Sequence, residues 1–282
     1  QAALQLERSS KKTSVTLVDV SCSGATMQKG ILGPQLRGMK SQIEAVNDLV
    51  KGRDIDAIVM SAGGNDVGFG SILTSCALQS NCPLATTTTP PLSAYPTMQT
   101  GVQALTAELP TGYSLINKCF TDSTCTGTQN QNLPGLSLSP IGQVFLNSYP
   151  DPTRSETGST CSYLTISQED FAWAHDTILD PSPVDPFMYR TTQGRVVPLS
   201  SGAGSLNGAI ANTAQIGWKP IMGTWSETGT GSTGHGVCAD EQSWIFGLTG
   251  IFGFTSGSFH PNPVGQKKIS GIIFREMVAS GF

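Results

Sequence analysis

The stretch IDAIVMSAGGND, residues 55–66, decides the fold of this chain. Its first eight residues are mostly apolar and run into two glycines, which is typical of a buried strand that ends in a turn. In open parallel sheets, ligand sites form at the carboxyl ends of the strands. Gly63 and Gly64 therefore predict a close approach of the backbone to a ligand, and Asn65 predicts a hydrogen-bond donor there. The alternative is an ordinary Asn-Asp turn that caps the next segment.

The residues before this strand predict a strand and a helix. Residues 14–20, SVTLVDV, are a short β-branched run. Residues 34–51 carry apolar side chains at three- and four-residue spacing, which predicts one face of a helix with Gly52 as its C-cap. Strand, helix and strand in this order predict an α/β fold with a parallel sheet.

The rest of the chain continues this pattern around a cysteine-flanked, Thr/Pro-rich insertion. The sequence shows neither an internal repeat nor a second domain boundary, so residues 1–282 are predicted to form a single domain. The insertion is placed at 76–98 and a loop at 119–139, with helices at 99–118, 168–180, 202–216 and 262–279, and strands at 141–152 and 218–225.

The composition narrows the function. Charged residues make up 13 % of the chain, the net charge is −4, and no basic run occurs, so a nucleic acid partner is not expected. The most apolar late stretch, 244–254, is too short to cross a bilayer and is broken by glycines, so no transmembrane segment is expected.

The seven cysteines favour an oxidising compartment, and the protein is predicted to be secreted or otherwise extracytoplasmic. Tight C-x-x-C pairs are absent and the three histidines are scattered, so neither a metal nor an organic cofactor is predicted.

Two further stretches carry candidate site residues. In DVSCSGAT, residues 19–26, Gly24 offers a backbone N–H that no Cβ shields, although an ordinary tight turn is the simpler explanation of this stretch taken alone. In SFHPNPVGQ, residues 258–266, the stiff Pro261 and Pro263 flank a position where His260 can act as a base. The alternative for His260 is a purely structural histidine.

The ordered set of glycine loop, GGND turn and late His-Pro-Asn resembles the SGNH (GDSL-type) hydrolases, a family of esterases and lipases. The resemblance runs in order through nearly the whole chain. It implies a flavodoxin-like three-layer α/β/α sandwich, with Gly24 and Asn65 in the oxyanion hole and His260 as general base. The stretches SYP at 148–150 and GHGVC at 234–238 resemble the secreted, disulfide-bearing branch of that family.

The chain departs from the family pattern in its nucleophile. The Gly-Asp-Ser block that carries the family's serine does not occur, and Ser114, Ser123 and Ser137 lack its strand context. Ser61 precedes the GGND turn and is expected to point into or beside the sheet. The expectation is that this block and the first strand lie outside these residues, so that the domain is N-terminally incomplete. Residues 1–12 then correspond to the end of the helix that follows that strand.

A second departure concerns the residue that orients the histidine. The family often has an aspartate three positions before it, where this chain has Gly257. By the resemblance, the backbone carbonyl of Gly257 or of a neighbour accepts the Nδ1–H instead. The chemistry needs only an acceptor that fixes the tautomer and the ring angle.

The cysteines give candidate disulfides. Cys76 with Cys82, and Cys119 with Cys125, can each close a small loop. The resemblance implies a third pair and leaves one cysteine over: Cys161 pairs with Cys238, and Cys22 pairs with a cysteine near the absent block. Spacing alone leaves the connectivity open.

Together these features predict a secreted carboxylic ester hydrolase, monomeric when complete, that acts on a small-molecule, lipid or glycan ester. This chain alone is predicted to be inactive. One alternative is a relative without a nucleophile that binds acylated glycans or lipids. Another is an esterase processed into two chains.

Overall fold

The computed structural model describes residues 1–179, 188–190, 196–198, 205–222, 234–247 and 259–282. The helices of this part are Ala2–Ser9 (α1), Gln42–Val50 (α2), Phe69–Leu78 (α3), Met98–Thr121 (α4), Gln168–Ala174 (α5), Leu206–Ala211 (α6) and Pro263–Ala279 (α7). The strands are Ile55–Met60 (β1), Thr124–Thr126 (β2), Asn132–Pro134 (β3), Leu138–Asn147 (β4), Met188–Arg190 (β5), Val196–Pro198 (β6) and Lys219–Ile221 (β7).

The central sheet confirms the predicted α/β class. Three parallel strands lie in the order β1–β4–β7. Val59 of β1 is opposite Phe145 of β4, and Phe145 is in turn opposite Lys219 of β7. Parallel strands need crossover connections, and the chain passes through α3 and α4 between β1 and β4, and through α5 and α6 between β4 and β7.

Strand β4 sends successive side chains into two different apolar layers. Val144 and Leu146 are buried on one face, in the same cluster as Tyr113 of α4. Phe145 is fully buried on the other face, in a smaller cluster with Ile272 of α7. Side chains alternate across a strand, so this arrangement places helices on both faces of the sheet and gives the predicted three layers.

The predicted strand at 14–20 is wrong. Among the described residues, this segment forms no ladder with any strand, and Leu17 is 67 % exposed. The outer edge of β1 likewise has no partner strand in the described part of the chain, and Val59 is 43 % exposed. A β-branched run with period two becomes a strand only when a neighbour takes up its backbone hydrogen bonds.

The predicted helix at 34–51 begins later and ends one residue earlier than expected. Its first half is a loop, in which Gly38 has a φ of +85°. The helix starts at a capping box, since the Ser41 hydroxyl accepts from the N–H of Glu44 and the Glu44 carboxylate accepts from the N–H of Ser41. Lys51, with a φ of +51°, is the C-cap in place of Gly52.

Most other boundaries shift by a few residues. Helix α4 and helix α7 lie close to their predicted ranges, and α7 begins directly after Asn262, whose side chain accepts from the N–H of Gly265. The predicted loop at 119–139 contains the antiparallel hairpin of β2 and β3. Helices α5 and α6 are short and pass into π and 3-10 turns. No helix of the described part is both long and apolar enough to cross a membrane.

The structure forms the three disulfides that the sequence and the resemblance suggested. Cys76 bonds to Cys82, Cys119 to Cys125, and Cys161 to Cys238. The first two close short loops, whereas the third joins positions 77 residues apart. Cys22 has a free thiol.

Candidate active site

The turn after β1 is shaped by two tyrosine rings. At Gly63, whose φ is +115°, a Cβ atom would lie 2.7 Å from the hydroxyl of Tyr113. At Gly64, a Cβ would lie 2.3 Å from the ring of Tyr149. The close approach that these glycines permit is therefore to the two tyrosines, and Tyr113 also donates to the carbonyl of Ala62 at 2.9 Å.

Asn65 follows these glycines and is joined to the loop that carries Gly24. Its Nδ2 donates to the carbonyl of Ala25 at 2.9 Å. In the opposite direction, the N–H of Met27 donates to Oδ1 of Asp66 at 2.9 Å. This pair of hydrogen bonds fixes the loop of Gly24 against the turn of Asn65. The two residues lie 41 positions apart in the sequence.

The joined loops present hydrogen-bond donors to solvent. Gly24 is exposed, has a φ of +75°, and its N–H has no partner among the residues that the structure describes. Asn65 is exposed as well, and an amide nitrogen carries two hydrogens, of which the bond to Ala25 uses one. Hydrogen-bond donors of this kind, held on two joined loops, are what a developing oxyanion requires.

Asp66 anchors this arrangement from the buried side. Burial raises the pKa of its carboxyl above the usual value, while the N–H groups of Met27, Asp66 and Gly63 act in the opposite direction. Its Oδ2 is buried without a hydrogen-bond partner in the described part of the chain. The carboxyl therefore serves to hold the Met27 amide in place, and Asn65 is the polar group of the pair that faces outward.

His260 is exposed and lies just before α7. Its carbonyl accepts from the N–H of Phe246 at 2.9 Å, and Pro261 forms a bridge with Ile245. Asn262 donates through Nδ2 to the carbonyl of Ser243 at 2.8 Å. These contacts tie His260 to residues 243–246, whereas Gly24 and Asn65 are tied to each other. Gly257, the predicted orienting residue, lies outside the described residues.

The serines weighed as substitutes for the missing nucleophile occupy unrelated positions. Ser61 follows Met60 at the carboxyl end of β1, directly before the turn that carries Gly63 and Gly64. Ser114 donates to its own helix at the carbonyl of Pro110, at 2.9 Å. Ser137 donates to Asp54, at the amino end of β1 and hence at the opposite edge of the sheet from Asn65.

A second polar pair lies near this edge, and no local pattern in the sequence pointed to it. His175 Nδ1 lies 2.7 Å from Oδ2 of Asp151, which follows the end of β4. Burial opposes ionisation of Asp151, but the hydrogen bond and the charge of His175, together with hydrogen bonds from Thr153, hold the pKa of the carboxyl below its usual value. The partners are 24 residues apart, so only the fold reveals the pair.

Comparisons with known proteins give two structures of similar fold. No protein-family profile matches the chain, and no curated protein matches it. The crystal structure of phospholipase A1 from Streptomyces albidoflavus NA297 is 19 % identical, with 92 % of this chain and 78 % of that chain covered and a TM-score of 0.46. The crystal structure of an extracellular lipase from Streptomyces rimosus is 18 % identical, with 84 % and 77 % covered and a TM-score of 0.46.

The packing of Tyr149 on Gly64 predicts that this glycine tolerates no side chain. We expect Gly64→Ala to lower the free energy of unfolding by about 1–3 kcal/mol, because the new methyl group displaces a packed ring. Denaturant titration measures this change. Gly70→Ala is the matched control, because a Cβ there meets nothing within 4 Å. Equal stability of the Gly64→Ala variant and the unaltered chain would contradict the described contact.

The Asp151–His175 pair predicts a specific acid dependence. A carboxyl whose pKa is lowered by folding contributes stability above its unfolded pKa, near 4, and loses it as the pH falls through the folded pKa. We expect Asp151→Asn to lower the free energy of unfolding at pH 6 by about 1–3 kcal/mol. Below about pH 4, the free energy of unfolding of this variant should fall less steeply with decreasing pH than that of the unaltered chain. Thermal melts from pH 3 to pH 7 measure both effects. The exposed Asp56→Asn variant serves as the control and should keep the slope of the unaltered chain.

Proposed function

We propose that this chain carries the oxyanion hole and the general base of a secreted carboxylic ester hydrolase. The observation that carries the proposal is the pair of hydrogen bonds that joins the Gly24 loop to the Asn65 turn. In this arrangement both residues are exposed, and the Gly24 N–H and one amide hydrogen of Asn65 have no partner among the described residues. Asn65 lies in the turn after the carboxyl end of β1, where open α/β sheets bind their ligands.

In the proposed reaction, a serine hydroxyl attacks the ester carbonyl while His260 takes the hydroxyl proton. The negative charge that develops on the carbonyl oxygen is held by the N–H of Gly24, by the amide of Asn65 and by the N–H of the serine itself. The tetrahedral species then expels the alcohol, which receives the proton from His260. Water repeats the sequence and releases the acid. A backbone carbonyl at or near Gly257 accepts the Nδ1–H of His260 and fixes its tautomer.

The serine belongs, in this proposal, to a segment outside residues 1–282. The motif that would carry it is absent from the sequence, and the hydroxyls of Ser114 and Ser137 donate to Pro110 and Asp54. Two features of the sheet support a further strand beside it. The outer edge of β1 has no neighbour in the described part of the chain, and the segment at 14–20, which has a strand's composition, forms no ladder there. Cys22 at the end of that segment has a free thiol.

The substrate class and the compartment follow from chemistry that the chain carries. Three disulfides support an oxidising, extracytoplasmic location. The exposed donors require an acyl group but not a particular alcohol, so the ester of a lipid, an acylated glycan or a smaller molecule fits. We propose that the complete enzyme is a monomer.

The absent Gly-Asp-Ser block also favours a second candidate, a relative without a nucleophile that binds acylated glycans or lipids. A third form of the proposal is an enzyme of two processed chains. Sequencing the coding DNA upstream of Gln1 separates them. An in-frame Gly-Asp-Ser there supports the hydrolase, and its absence supports the binding protein. A separate N-terminal peptide in the purified protein supports the processed form.

We expect the 282-residue chain by itself to hydrolyse short-chain nitrophenyl esters no faster than its His260→Ala variant, because the attacking serine is missing. Initial rates of the two proteins at equal concentration measure this. A fluorescent phosphonate that labels reactive serines provides the second measurement. Stoichiometric labelling of one serine in this chain would overturn the assignment of the nucleophile to another segment.

When a segment bearing Gly-Asp-Ser is supplied, we expect Asn65→Ala to lower kcat by about 10²–10³, the effect of losing one oxyanion donor. His260→Ala should cost more, since it removes the proton acceptor. Asn47→Ala on α2 is the matched control and should leave kcat unchanged. Thermal melts of each variant separate a loss of catalysis from a loss of fold. An unchanged kcat in a folded Asn65→Ala variant removes Asn65 from the oxyanion hole.

A further inference from the structure

Three of the most exposed apolar side chains in the described part of the chain lie around one disulfide loop. Leu78 ends α3 and is 68 % exposed, Leu84 follows Cys82 and is 59 % exposed, and Leu164 is 72 % exposed. We call these three residues the leucine patch. Single exposed leucines are common, but several on neighbouring segments mark a surface that binds a membrane or another protein.

Covalent and polar contacts hold the three segments together. The Cys76–Cys82 disulfide brings the end of α3 to the turn that carries Leu84, with the two Cα atoms 4.7 Å apart. The side chain of Gln79 donates to the carbonyl of Thr86 at 3.1 Å. The hydroxyl of Thr165 donates to the carbonyl of Ala77 at 2.6 Å, which places the turn bearing Leu164 beside the end of α3.

Leu164 combines two unfavourable features. It lies at the tip of a tight turn, in which Tyr163 and Ile166 exchange backbone hydrogen bonds of 3.2 and 3.1 Å. Its φ is +53°, a conformation that non-glycine residues seldom adopt, and asparagine or glycine would suit the turn better. An apolar side chain that is exposed on a strained backbone at a turn tip gives no benefit to folding. This observation points to a role in binding.

The segments that carry the patch contain no basic residue. Residues 67–107 contain no Lys, Arg, Asp, Glu or His, and neither do residues 157–168. The charged residues next to them are acidic: the buried Asp170 accepts from the N–H of Cys82, and Glu169 is exposed. The patch therefore offers neither the basic residues that attract anionic lipid nor the ion pairs that rim many protein interfaces. Leucine interspersed with uncharged polar residues such as Gln79 and Asn81 matches an uncharged or zwitterionic lipid surface.

The size and shape of the patch favour lipid over a protein partner. A stable protein interface buries about 800 Å² on each side and needs a complementary, well-packed surface. Three leucine side chains on separate turns provide far less area and no flat face. A fluid lipid layer needs no fixed complementary shape, and each apolar side chain that enters it leaves water independently.

Helix α3 links the candidate site to the patch. It begins shortly after Asn65 and ends at Leu78. Its ten residues span about 15 Å at the ordinary helical rise, so about one helix length separates Leu78 from the turn that carries Asn65.

We propose that Leu78, Leu84 and Leu164 insert into the surface of a neutral lipid aggregate and so present the enzyme to its substrate. This inference rests on the proposed function and narrows the substrate to an ester within a lipid aggregate. Docking is driven by apolar burial, so it is insensitive to salt.

The test is co-sedimentation of the 282-residue chain with phosphatidylcholine vesicles, which requires no hydrolysis. The expected result is binding that is equal at 0.05 and 0.5 M NaCl, the range over which screening weakens electrostatic docking. The triple variant Leu78→Ser/Leu84→Ser/Leu164→Ser should lower the partition coefficient by at least about 30-fold. Ile141→Ser is the matched control, since Ile141 is 65 % exposed and lies near the amino end of β4.

Three outcomes overturn the proposal: equal binding by the triple variant, binding that high salt abolishes, or a chain that does not bind but self-associates through these leucines. Sedimentation velocity measures this self-association, which would assign the patch to an interface between two copies of the chain. Failure of the proposed function is distinguishable. Patch-dependent vesicle binding without ester hydrolysis, after a serine-bearing segment is supplied, rejects the hydrolase and keeps the lipid surface. Hydrolysis of a soluble ester without vesicle binding does the reverse.

Discussion

The parallel pairing of β1 with β4 is the constraint on which the candidate site depends. It brings the carboxyl ends of both strands to one edge of the sheet, with Met60 opposite Leu146. The residues that follow each strand must then pack against each other, and the ring of Tyr149 does so against Gly64. The polar groups at this edge are positioned by backbone pairing some residues earlier, because the turns themselves contain little regular structure to hold them.

Hydrogen bonds between two loops fix the positions of Gly24 and Asn65 beyond the end of the strand. Asn65 uses one amide hydrogen on the carbonyl of Ala25, and Asp66 accepts from the amide of Met27. Adjacent residues thus have opposite tasks, since Asp66 turns inward to hold the Gly24 loop while Asn65 stays exposed. A site assembled in this way is preorganised, because its donors are fixed before any charge develops on a substrate.

The outer edge of β1 and the segment at 14–20 share one physical property, which is backbone capacity for hydrogen bonds that no described strand takes up. Val59 in the first and Leu17 in the second are exposed. Parallel strands are seldom left open to solvent. The free thiol of Cys22 lies close in sequence to this segment.

The sequence by itself determined the features that depend on near neighbours. The apolar run of β1, the long periodic helix α4 and the Asn-Pro start of α7 are encoded within a few residues, so they were predictable. The two short disulfide loops, Cys76–Cys82 and Cys119–Cys125, are of the same local kind. The order of the Gly24, Asn65 and His260 stretches was also visible, since a motif is a local pattern.

Only the tertiary structure decided the features that depend on distant partners. Residues 14–20 have a strand's composition but no ladder, because strand formation requires a neighbour that composition cannot supply. Gly64 admits the ring of Tyr149, although its sequence context suggested a ligand, because the fold brings β4 beside β1. The Asp151–His175 pair joins a strand end to a later helix, and neither residue has a local signal for the other. Local propensity acts over about one helical turn, whereas these contacts arise when separate elements pack around a common core.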